Sequence, residues 1–316
     1  MSLGHRDVAA PEKRRVAGRA LRSRPATRRA HRLRTTAWLY LLPGFAFYGA
    51  FSLWPLIETF QYSFYKWDGI TAAKWVGLKN YIKIFTSEDA LSTFAHAFTF
   101  ILFYAAIPVV VGLVIVGVMT RVRIRLLGLL RTVLFIPQIL AMVVVAVAWR
   151  WIYAESGPIN AALEAIGLDS WTRAWLGDFK TALPAVGLIG TWVMYGLCMV
   201  LFIGGSQKIP RDLYEAAKLD GAGPFQEFMA VTLPGLRGEI SVALILTVTA
   251  ALRNFDIVWN TTSGGPGNAT LIPSYLIFEG AFVTRQVGYA AAASVVLTTL
   301  ILLLTGGIQA LLRQRK

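Results

Sequence analysis

The chain has 316 residues, of which 56% are hydrophobic and 15% are charged, and its mean hydropathy is +0.56. This composition is far more apolar than a soluble domain of this size needs, so it excludes an ordinary soluble protein and indicates a membrane protein. The formal net charge of +14 does not predict nucleic-acid binding, because much of that charge lies in the first 36 residues.

Residues 1–36 form a basic segment with few aromatic residues and no apolar periodicity, and we predict a disordered cytoplasmic tail there. A solvated tail that rests on anionic membrane lipid accounts for its charge better than a regulatory or nucleic-acid role. The segment is not a signal peptide, because its charged region is too long and no small-residue cleavage site follows the first apolar run.

Six apolar segments are predicted to cross the bilayer as helices, whose hydrocarbon core is roughly 30 Å thick. They lack the period-two alternation of barrel strands, which predicts an all-α integral membrane domain over residues 37–316. The six predicted spans are Trp38 to Phe60, Ala97 to Thr120, Leu126 to Trp149, Thr181 to Ser206, Ile240 to Leu252 with its continuation to Trp259, and Val287 to Leu312.

Basic residues that flank membrane spans are retained on the cytoplasmic side. Arginine and lysine are frequent before the first span, between the second and third spans, and after the sixth, and these three places share one side of a six-span chain. We therefore expect both termini to be cytoplasmic and the loop from Thr261 to Thr284 to face outward. The outer loops hold fewer basic residues for their length: Lys66, Lys74, Lys79, Lys83, Arg173, Lys180 and Arg285.

A polar helical hairpin at about residues 207–238 joins the fourth and fifth spans on the predicted cytoplasmic side. A first helix is predicted from Pro210 to Leu219, because proline suits the first turn of a helix. A second helix is predicted over residues 225–231, and Pro234 is expected to end it, because proline cannot donate the backbone hydrogen bond.

The end of the first hairpin helix carries the residues best suited to contact another protein. Gly221 most easily takes the left-handed backbone that closes a helix. Ala216 and Ala217 present almost no side chain, so another surface can approach closely, and Glu215 offers a carboxylate beside them. An ordinary amphipathic linker is the alternative interpretation.

Polar residues near the outer end of the fifth span are candidates for a transport path, because unpaired polar groups are costly in a membrane and usually face a cavity or each other. Sugars are bound by planar polar groups and aromatic faces, and several aromatic residues are predicted at a comparable depth. The candidates are Arg253, Asn254, Asp256, Trp192, Tyr195 and Trp259. The competing interpretations are an interfacial aromatic belt and an ion pair between Arg253 and Asp256.

The sequence contains no G-x-x-x-x-G-K-[ST] phosphate loop, so ATP-driven transport requires another chain to hydrolyse ATP. The three histidines are scattered, and no Cys or His spacing suits a metal. Cys198 is the single cysteine, which excludes an internal disulfide. Neither catalysis nor a cofactor of its own is indicated for this chain.

Several motifs in the sequence resemble a known family. The order Glu215-Ala216-Ala217, Gly221, Val231 and Leu233-Pro234 resembles the EAA loop of ATP-binding-cassette (ABC) importer permeases, with Val231 in place of the usual isoleucine. Further segments are similar to carbohydrate importer permeases of the maltose type, and the resemblance covers nearly everything from residue 37 to 312. These segments are Leu41 to Gly44, Trp54-Pro55, Ser63 to Trp67, Trp75 to Tyr81, Arg131 to Trp151, Asn254 to Trp259, Ser263 to Pro266, Ser274 to Leu276, and Ala281-Phe282.

The resemblance implies a type I ABC importer permease fold in a bacterial cytoplasmic (inner) membrane. It implies a second homologous permease subunit that completes the path, and an extracytoplasmic substrate-binding protein that delivers a sugar or oligosaccharide. It also implies an ABC ATPase dimer that binds ATP and Mg and clasps the EAA loops. The ATPase-coupling loop would then comprise Glu215, Ala216, Ala217, Asp220, Gly221 and Pro234.

The resemblance also bears on the substrate. Asn254 falls on a sugar-lining position of the maltose-type subunit, whereas Gly190, Met194 and Ala251 fall on other such positions that carry different residues there. This departure argues against assuming maltose. Two alternatives stay open: an ABC permease for a non-sugar solute such as an amino acid or peptide, and an ion-coupled secondary transporter. The latter needs buried ionisable residues or broken helices at mid-membrane, and the centres of the predicted spans are free of charge.

Overall fold

The computed structural model describes residues 40–119 and 127–312. The basic segment 1–36 and the arginines of residues 121–125 therefore lie outside the described residues. The chain divides into two units after Pro55. Of the first unit the structure describes residues 40–55, a helical segment whose large apolar side chains are exposed.

The described residues are mostly helical, with one short antiparallel strand pair in which Tyr65 lies opposite Trp75. In chain order the elements are α1 (Tyr40–Tyr62), β1 (Tyr65–Lys66), β2 (Lys74–Trp75), α2 (Lys79–Thr86), α3 (Glu88–Met119), α4 (Leu127–Ile139), α5 (Met142–Ile152), α6 (Pro158–Ala165), a 3₁₀ turn (Asp169–Trp171), α7 (Ala182–Ser206), α8 (Arg211–Leu219), α9 (Pro224–Gly235), α10 (Arg237–Leu252), α11 (Asp256–Thr261), α12 (Pro273–Phe278) and α13 (Val287–Leu312).

Four of the described helices, α1, α3, α7 and α13, are each long and apolar enough to cross a membrane. Two bent pairs, α4 with α5 and α9 with α10, meet the same criteria if each pair forms one span. The fold is therefore all-α with up to six spans in the described residues, as the sequence predicts. The first, second, fourth and sixth predicted spans correspond to α1, α3, α7 and α13.

The third predicted span is wrong as a continuous helix. Its segment forms α4 and α5, which are bent by 96° at the break after Ile139. Pro137 lies in the last turn of α4 and has no amide hydrogen to donate, which weakens the helix at that point. Ala141 then adopts an extended backbone, with φ −63° and ψ 132°, before α5 begins.

The continuation of the fifth span to Trp259 is also wrong. α10 ends at Leu252, and residues 253–255 leave helical geometry before α11 begins at Asp256. α11 is thus a separate short helix, and it packs on α5. No proline or glycine marks this break in the sequence, so the usual signals of a helix end are absent.

Helix α7 is the most buried of the long helices and packs against α3, α4 and α10. Close packing of α3 on α7 depends on a missing side chain, because a Cβ at Gly190 would overlap the ring of Tyr104. Ile189 and Phe202 of α7 are fully buried. α7 therefore forms the centre on which the other helices of the second unit are arranged.

A π-helical turn at Leu102–Ala106 interrupts α3 beside α7. In this turn the carbonyl of Phe103 would accept a hydrogen bond from the amide of residue 108, but Pro108 has no amide hydrogen. The Thr191 hydroxyl of α7 donates a hydrogen bond of 2.6 Å to the same carbonyl. A backbone acceptor that the π turn and the proline leave open is thereby satisfied inside the membrane-spanning region.

Candidate functional site

The polar hairpin predicted between the fourth and fifth spans consists of α8 and α9. α8 begins at Arg211, with Pro210 as its cap residue. α9 continues through Pro234, so the prediction that this proline ends the second helix is wrong. A π-helical turn at Phe228–Thr232 comes just before the proline, and the amide of Leu233 donates to the Phe228 carbonyl, five residues earlier. The widened turn admits a residue that cannot donate a hydrogen bond.

The end of α8 is closed as the sequence predicts. Gly221 has a φ of 76°, in the left-handed region. The amide of Gly221 donates to the Lys218 carbonyl at 3.0 Å, and the amide of Ala222 donates to the Ala217 carbonyl at 2.9 Å. These two bonds form a Schellman motif, which satisfies the last carbonyls of the helix and requires the left-handed residue between them.

The hairpin exposes polar, small and apolar side chains together. Of the predicted coupling residues, Ala217 and Pro234 are half-buried, and the others are exposed: Glu215, Ala216, Asp220 and Gly221. Large apolar side chains that the sequence analysis did not single out are exposed as well: Leu213 at 51%, Leu219 at 89%, Phe225 at 70% and Met229 at 44%. The sequence does contain a signal for these four residues, because an apolar residue recurs along each helix of an otherwise polar hairpin. Exposed apolar side chains that are grouped in this way are typical of a protein contact.

The two hairpin helices are tied to each other and to the spans. The Tyr214 and Thr232 hydroxyls are hydrogen-bonded at 3.2 Å, which joins α8 to α9. Lys208, just after α7, forms an ion pair of 3.0 Å with Glu239 in the first turn of α10. The 70° corner between α9 and α10 is held by Leu236, which is fully buried and keeps backbone hydrogen bonds on both sides. These contacts link α8 to α9, α9 to α10, and the end of α7 to the start of α10.

A cavity of about 1090 Å³ lies between the hairpin and the ends of α3, α4 and α7. Charged side chains of both signs line it, including Glu215 and Lys218 of α8 and Arg131 of α4. Among the described residues, the buried Arg131 Nε has no hydrogen-bond partner. The cavity leaves space into which the hairpin can shift relative to α4.

Asn254, the leading candidate for the transport path, lies at the break between α10 and α11 and is 8% exposed. Its backbone carbonyl accepts a hydrogen bond from the Ser274 hydroxyl, and its buried side-chain Nδ2 has no partner among the described residues. Arg253 and Asp256 are exposed, and no ion pair joins them in the described part of the chain. The alternative that these two residues simply pair is therefore not what the structure shows.

The aromatic candidates lie in two separate groups. Trp192 contacts Trp149, with ring centroids 5.7 Å apart. Trp259 packs with Phe255, Tyr275 and Phe278, and its ring lies 5.5 Å from that of Tyr275 and 4.9 Å from that of Phe278. Tyr195 is half-buried on α7. The structure thus brings Trp259, Asn254 and α12 together, but it does not bring Trp192 into the same group of rings.

The positions at which the sequence departs from the maltose-type pattern are filled by protein. Met194 is 7% exposed and Ala251 is 1% exposed, and both belong to one buried cluster with Tyr104. The ring of Tyr104 occupies the space beside Gly190. Its hydroxyl is buried and has no hydrogen-bond partner among the described residues. The sequence did not single out Tyr104, and it pointed to Ser274 and Tyr275 only as part of a family motif and not as site residues, because the contacts of all three are with distant segments.

Comparisons with known proteins agree with this architecture. Residues 97–316 match the family described as "Binding-protein-dependent transport system inner membrane component". The probable ABC transporter permease protein YurN of Bacillus subtilis is 36% identical over 275 residues, which cover 85% of this chain and 92% of that protein. The diacetylchitobiose uptake system permease protein NgcF of Streptomyces coelicolor is 32% identical over 295 residues, covering 88% of this chain and 83% of that protein.

A solved structure supports the same fold. A chain of a bacterial ABC transporter involved in the import of the acidic polysaccharide alginate superposes with a TM-score of 0.76. The superposition covers 91% of this chain and 98% of that chain at 20% sequence identity. At this level of identity the match concerns the fold and not the substrate.

Proposed function

Because the chain belongs to the family of binding-protein-dependent transport system inner membrane components, we propose that it forms half of the translocation path of an ATP-driven importer for a sugar or oligosaccharide. Family membership makes it a multi-pass membrane subunit of an ABC importer. The sugar class is supported by the relative NgcF, whose name assigns it to diacetylchitobiose uptake. A second, homologous permease subunit would supply the other half of the path.

The observation that carries the coupling part of the proposal is the α8–α9 hairpin. It has an end fixed by a Schellman motif, the exposed Ala216 and exposed apolar side chains. The Tyr214–Thr232 hydrogen bond joins its two helices, and backbone hydrogen bonds at Leu236 join it to α10. Exposed apolar side chains of this kind are more stable against a protein partner than in contact with water. We assign that partner as the ABC ATPase dimer, which would hold ATP and Mg, while Glu215 would meet a polar or basic group on it.

The mechanism follows from the rigidity of the hairpin. Closure of the ATPase dimer on ATP would displace the hairpin, and the ion pair of Lys208 with Glu239 and the buried corner at Leu236 would pass this displacement to α7 and α10. The cavity of about 1090 Å³ beside α4 gives room for the movement. Tilting of α10 would move the break that carries Asn254, and access to the path would switch from one side to the other.

The orientation in this proposal places the hairpin and both termini in the cytoplasm, and the loop from Thr261 to Thr284 outside. It is supported by the excess of arginine and lysine in the loops on the hairpin side. The outer loops would then face the extracytoplasmic substrate-binding protein on which this family depends.

The path in this proposal includes Asn254 and the rings of Trp259 and Tyr275. The buried amide nitrogen of Asn254 is a donor without a partner in the described residues, and a sugar hydroxyl is a matching acceptor. An unsatisfied buried donor costs about 1 to 3 kcal/mol, so a ligand that accepts its hydrogen bond gains that amount of affinity at most. Aromatic faces next to such a donor suit the apolar side of a sugar ring.

The test is uptake by a reconstituted complex of this chain, its sister permease, the ATPase and the substrate-binding protein in proteoliposomes. Labelled N-acetylated and unmodified disaccharides, an amino acid and a dipeptide are supplied in turn, with ATP and without it. We expect uptake of one of the disaccharides that needs ATP and the binding protein. Matched proteoliposomes that contain an ATPase unable to hydrolyse ATP serve as the control.

Two results would contradict the proposal. Uptake of the amino acid or dipeptide, with no sugar transported, would assign the permease to a non-sugar solute. Uptake driven by an ion gradient without ATP would identify a secondary transporter and would leave the hairpin without its assigned role.

A further inference from the structure

The basic residues of the outer loops gather around one cavity. Five cationic side chains line a cavity of about 500 Å³ formed by the chain after α1, by α2 and by the start of α13: Lys66, Lys74, Lys79, Lys83 and Arg285. Arg173 and Lys180, the basic residues of the second outer loop, are not among its lining residues. Basic residues are disfavoured on the outer side of a membrane protein, so their concentration at one place requires a reason.

The walls of this cavity, which we call the outer basic cavity, are fixed by hydrogen bonds. Asn80 of α2 donates from Nδ2 to the carbonyls of Ser63 and Tyr65, at 2.9 Å each. Lys83 Nζ donates to Gln286 Oε1 at 3.1 Å and lies 4.6 Å from the centre of the Tyr289 ring. These contacts join α2 to the end of α1 and to α13. The cavity is therefore a built feature and not a chance gap between mobile loops.

The charge of the outer basic cavity is largely uncompensated. In the described residues, the ammonium groups of Lys66, Lys74 and Lys79 take part in no hydrogen bond or ion pair. Of the described residues that line the cavity, Asp68 alone is acidic. Its carboxylate accepts hydrogen bonds from the amides of residues 70 and 71 and from the Thr71 hydroxyl, which lower its pKa to about 2. Asp68 therefore stays charged but is engaged by its own loop, and the remaining cations call for an external anion.

Helix α2 indicates which anion this is. Leu78, Ile82 and Phe85 recur at spacings of four and three residues and are 61%, 59% and 60% exposed, so they form one apolar stripe that no part of the second unit covers. Lys79 and Lys83 lie on the adjoining stripe, and the remaining side packs on α3 and α13, with Ile84 fully buried. In a membrane protein an exposed apolar stripe beside a cationic one is the pattern of a helix that lies in the membrane interface.

We propose that the outer basic cavity binds the phosphate of an anionic phospholipid in the outer leaflet, while Leu78, Ile82 and Phe85 contact its acyl chains. The inference rests on the orientation given in the proposed function. The lysine ammonium groups act as point charges for the phosphate diester. Trp67 and Tyr289 line the same cavity, and such aromatic residues are enriched where a membrane meets water. Free inorganic phosphate shares the charge chemistry but gains nothing from the apolar stripe.

The test compares lipids on the purified whole complex in a neutral detergent. Thermal unfolding is followed as dioleoyl phosphatidylglycerol, dioleoyl phosphatidylcholine or inorganic phosphate alone is titrated in. We expect stabilisation by phosphatidylglycerol at concentrations at which the other two have no effect. A variant with Lys66→Gln, Lys74→Gln and Lys79→Gln should bind phosphatidylglycerol roughly 100-fold more weakly, since each lysine near an anionic headgroup contributes on the order of fivefold. Lys180→Gln is the matched control and should behave as the unchanged complex.

The outcomes separate the sources of the anion. Equal effects of phosphatidylglycerol and phosphatidylcholine, or an unchanged phosphatidylglycerol affinity in the triple variant, would overturn the proposal. Stabilisation by inorganic phosphate to the same degree would replace the lipid with a free anion. If the triple variant instead raises the concentration of substrate-binding protein needed for half-maximal ATPase activity, with lipid preference unchanged, the cavity is a docking surface for that protein. ATP-dependent uptake in the same preparations distinguishes a failure of this inference from a failure of the proposed function.

Discussion

Substitution of Gly221 tests whether the end of α8 is a positioned contact or only a connection. The φ of 76° at this residue lies in the left-handed region, and a Cβ placed there would meet nothing within 4 Å. The free-energy cost of replacing Gly221 within this subunit therefore comes from backbone strain and not from a steric clash. Left-handed backbone costs an ordinary L-residue roughly 1 to 2 kcal/mol, and asparagine less, because it visits this region routinely.

These energies predict an order of variants. Gly221→Asn should reduce the fraction of hairpin in the docking conformation only slightly, Gly221→Ala about fivefold, and Gly221→Val up to about 30-fold, since 1.4 kcal/mol corresponds to a factor of ten. The order follows tolerance of the left-handed backbone and not side-chain size. If the side chain instead collides with the ATPase, the small alanine should be tolerated better than asparagine. The two causes are thus distinguished by the relative order of alanine and asparagine.

The assay is capture of the ATPase by the tagged permease pair in detergent, at an ATPase concentration below saturation, with uptake measured on the same preparations. The amount of permease pair recovered controls for folding and membrane insertion. We expect capture and uptake to fall together in the order Asn, Ala, Val. Equal capture and equal uptake for all three variants would refute the reasoning and leave the hairpin as an ordinary linker.

Three further predictions concern the path, the topology and the packing. Asn254→Ala should leave the assembled complex and its ATPase response intact and slow uptake several-fold at subsaturating substrate, because about 1 kcal/mol of hydrogen bonding is lost; unchanged uptake kinetics would remove Asn254 from the path. A cysteine at Asn268 should react with a membrane-impermeant thiol reagent in intact cells, and a cysteine at Lys218 should not. Background labelling should be low, because the native Cys198 is fully buried. The opposite labelling pattern would invert the topology. Gly190→Ala should lower the thermal stability of the complex, because the added Cβ would overlap the Tyr104 ring. Gly204→Ala on the same helix is the control and should have little effect, because a Cβ there would meet nothing within 4 Å. Equal effects of the two substitutions would show that α3 and α7 are not packed as described.

The sequence predicts helix boundaries well where a helix coincides with one uninterrupted apolar segment. The bounds of α7 and α13 agree with the predicted spans to within one residue, because each is a long apolar run with polar residues at its ends. The Schellman motif at Gly221 was also predictable, since glycine after a polar helix is a strong local signal. Prediction of spans from hydropathy failed where a helix breaks within an apolar segment. Hydropathy reports how apolar a segment is, but it does not report where the chain changes direction. Pro137 was a visible signal for the break after α4, whereas residues 253–255 offer none.

The candidate path was only partly predictable for a different reason. Asn254 was found from its polarity in an apolar segment, but its environment depends on Ser274, and the ring group around Trp259 depends on Tyr275 and Phe278. These contacts join segments that are about twenty residues apart along the chain. Periodicity within one helix carries no information about them, and a single sequence offers no other signal.

The breaks also change how the chain is distinguished from a secondary transporter. The absence of charge at the centres of the predicted spans argued against that class, but the spans were also predicted as continuous, and the structure has a 96° bend between α4 and α5 and an interruption at residues 253–255. Broken helices alone therefore do not decide between the classes. What distinguishes this chain is where its irregularities lie. The π turn and 70° corner of α9 and α10 adjoin the hairpin, and the break after α10 carries Asn254. Since α10 runs unbroken from Arg237 to Leu252 between them, the proposed displacement of the hairpin would be passed along one continuous helix to the residue that we assign to the path.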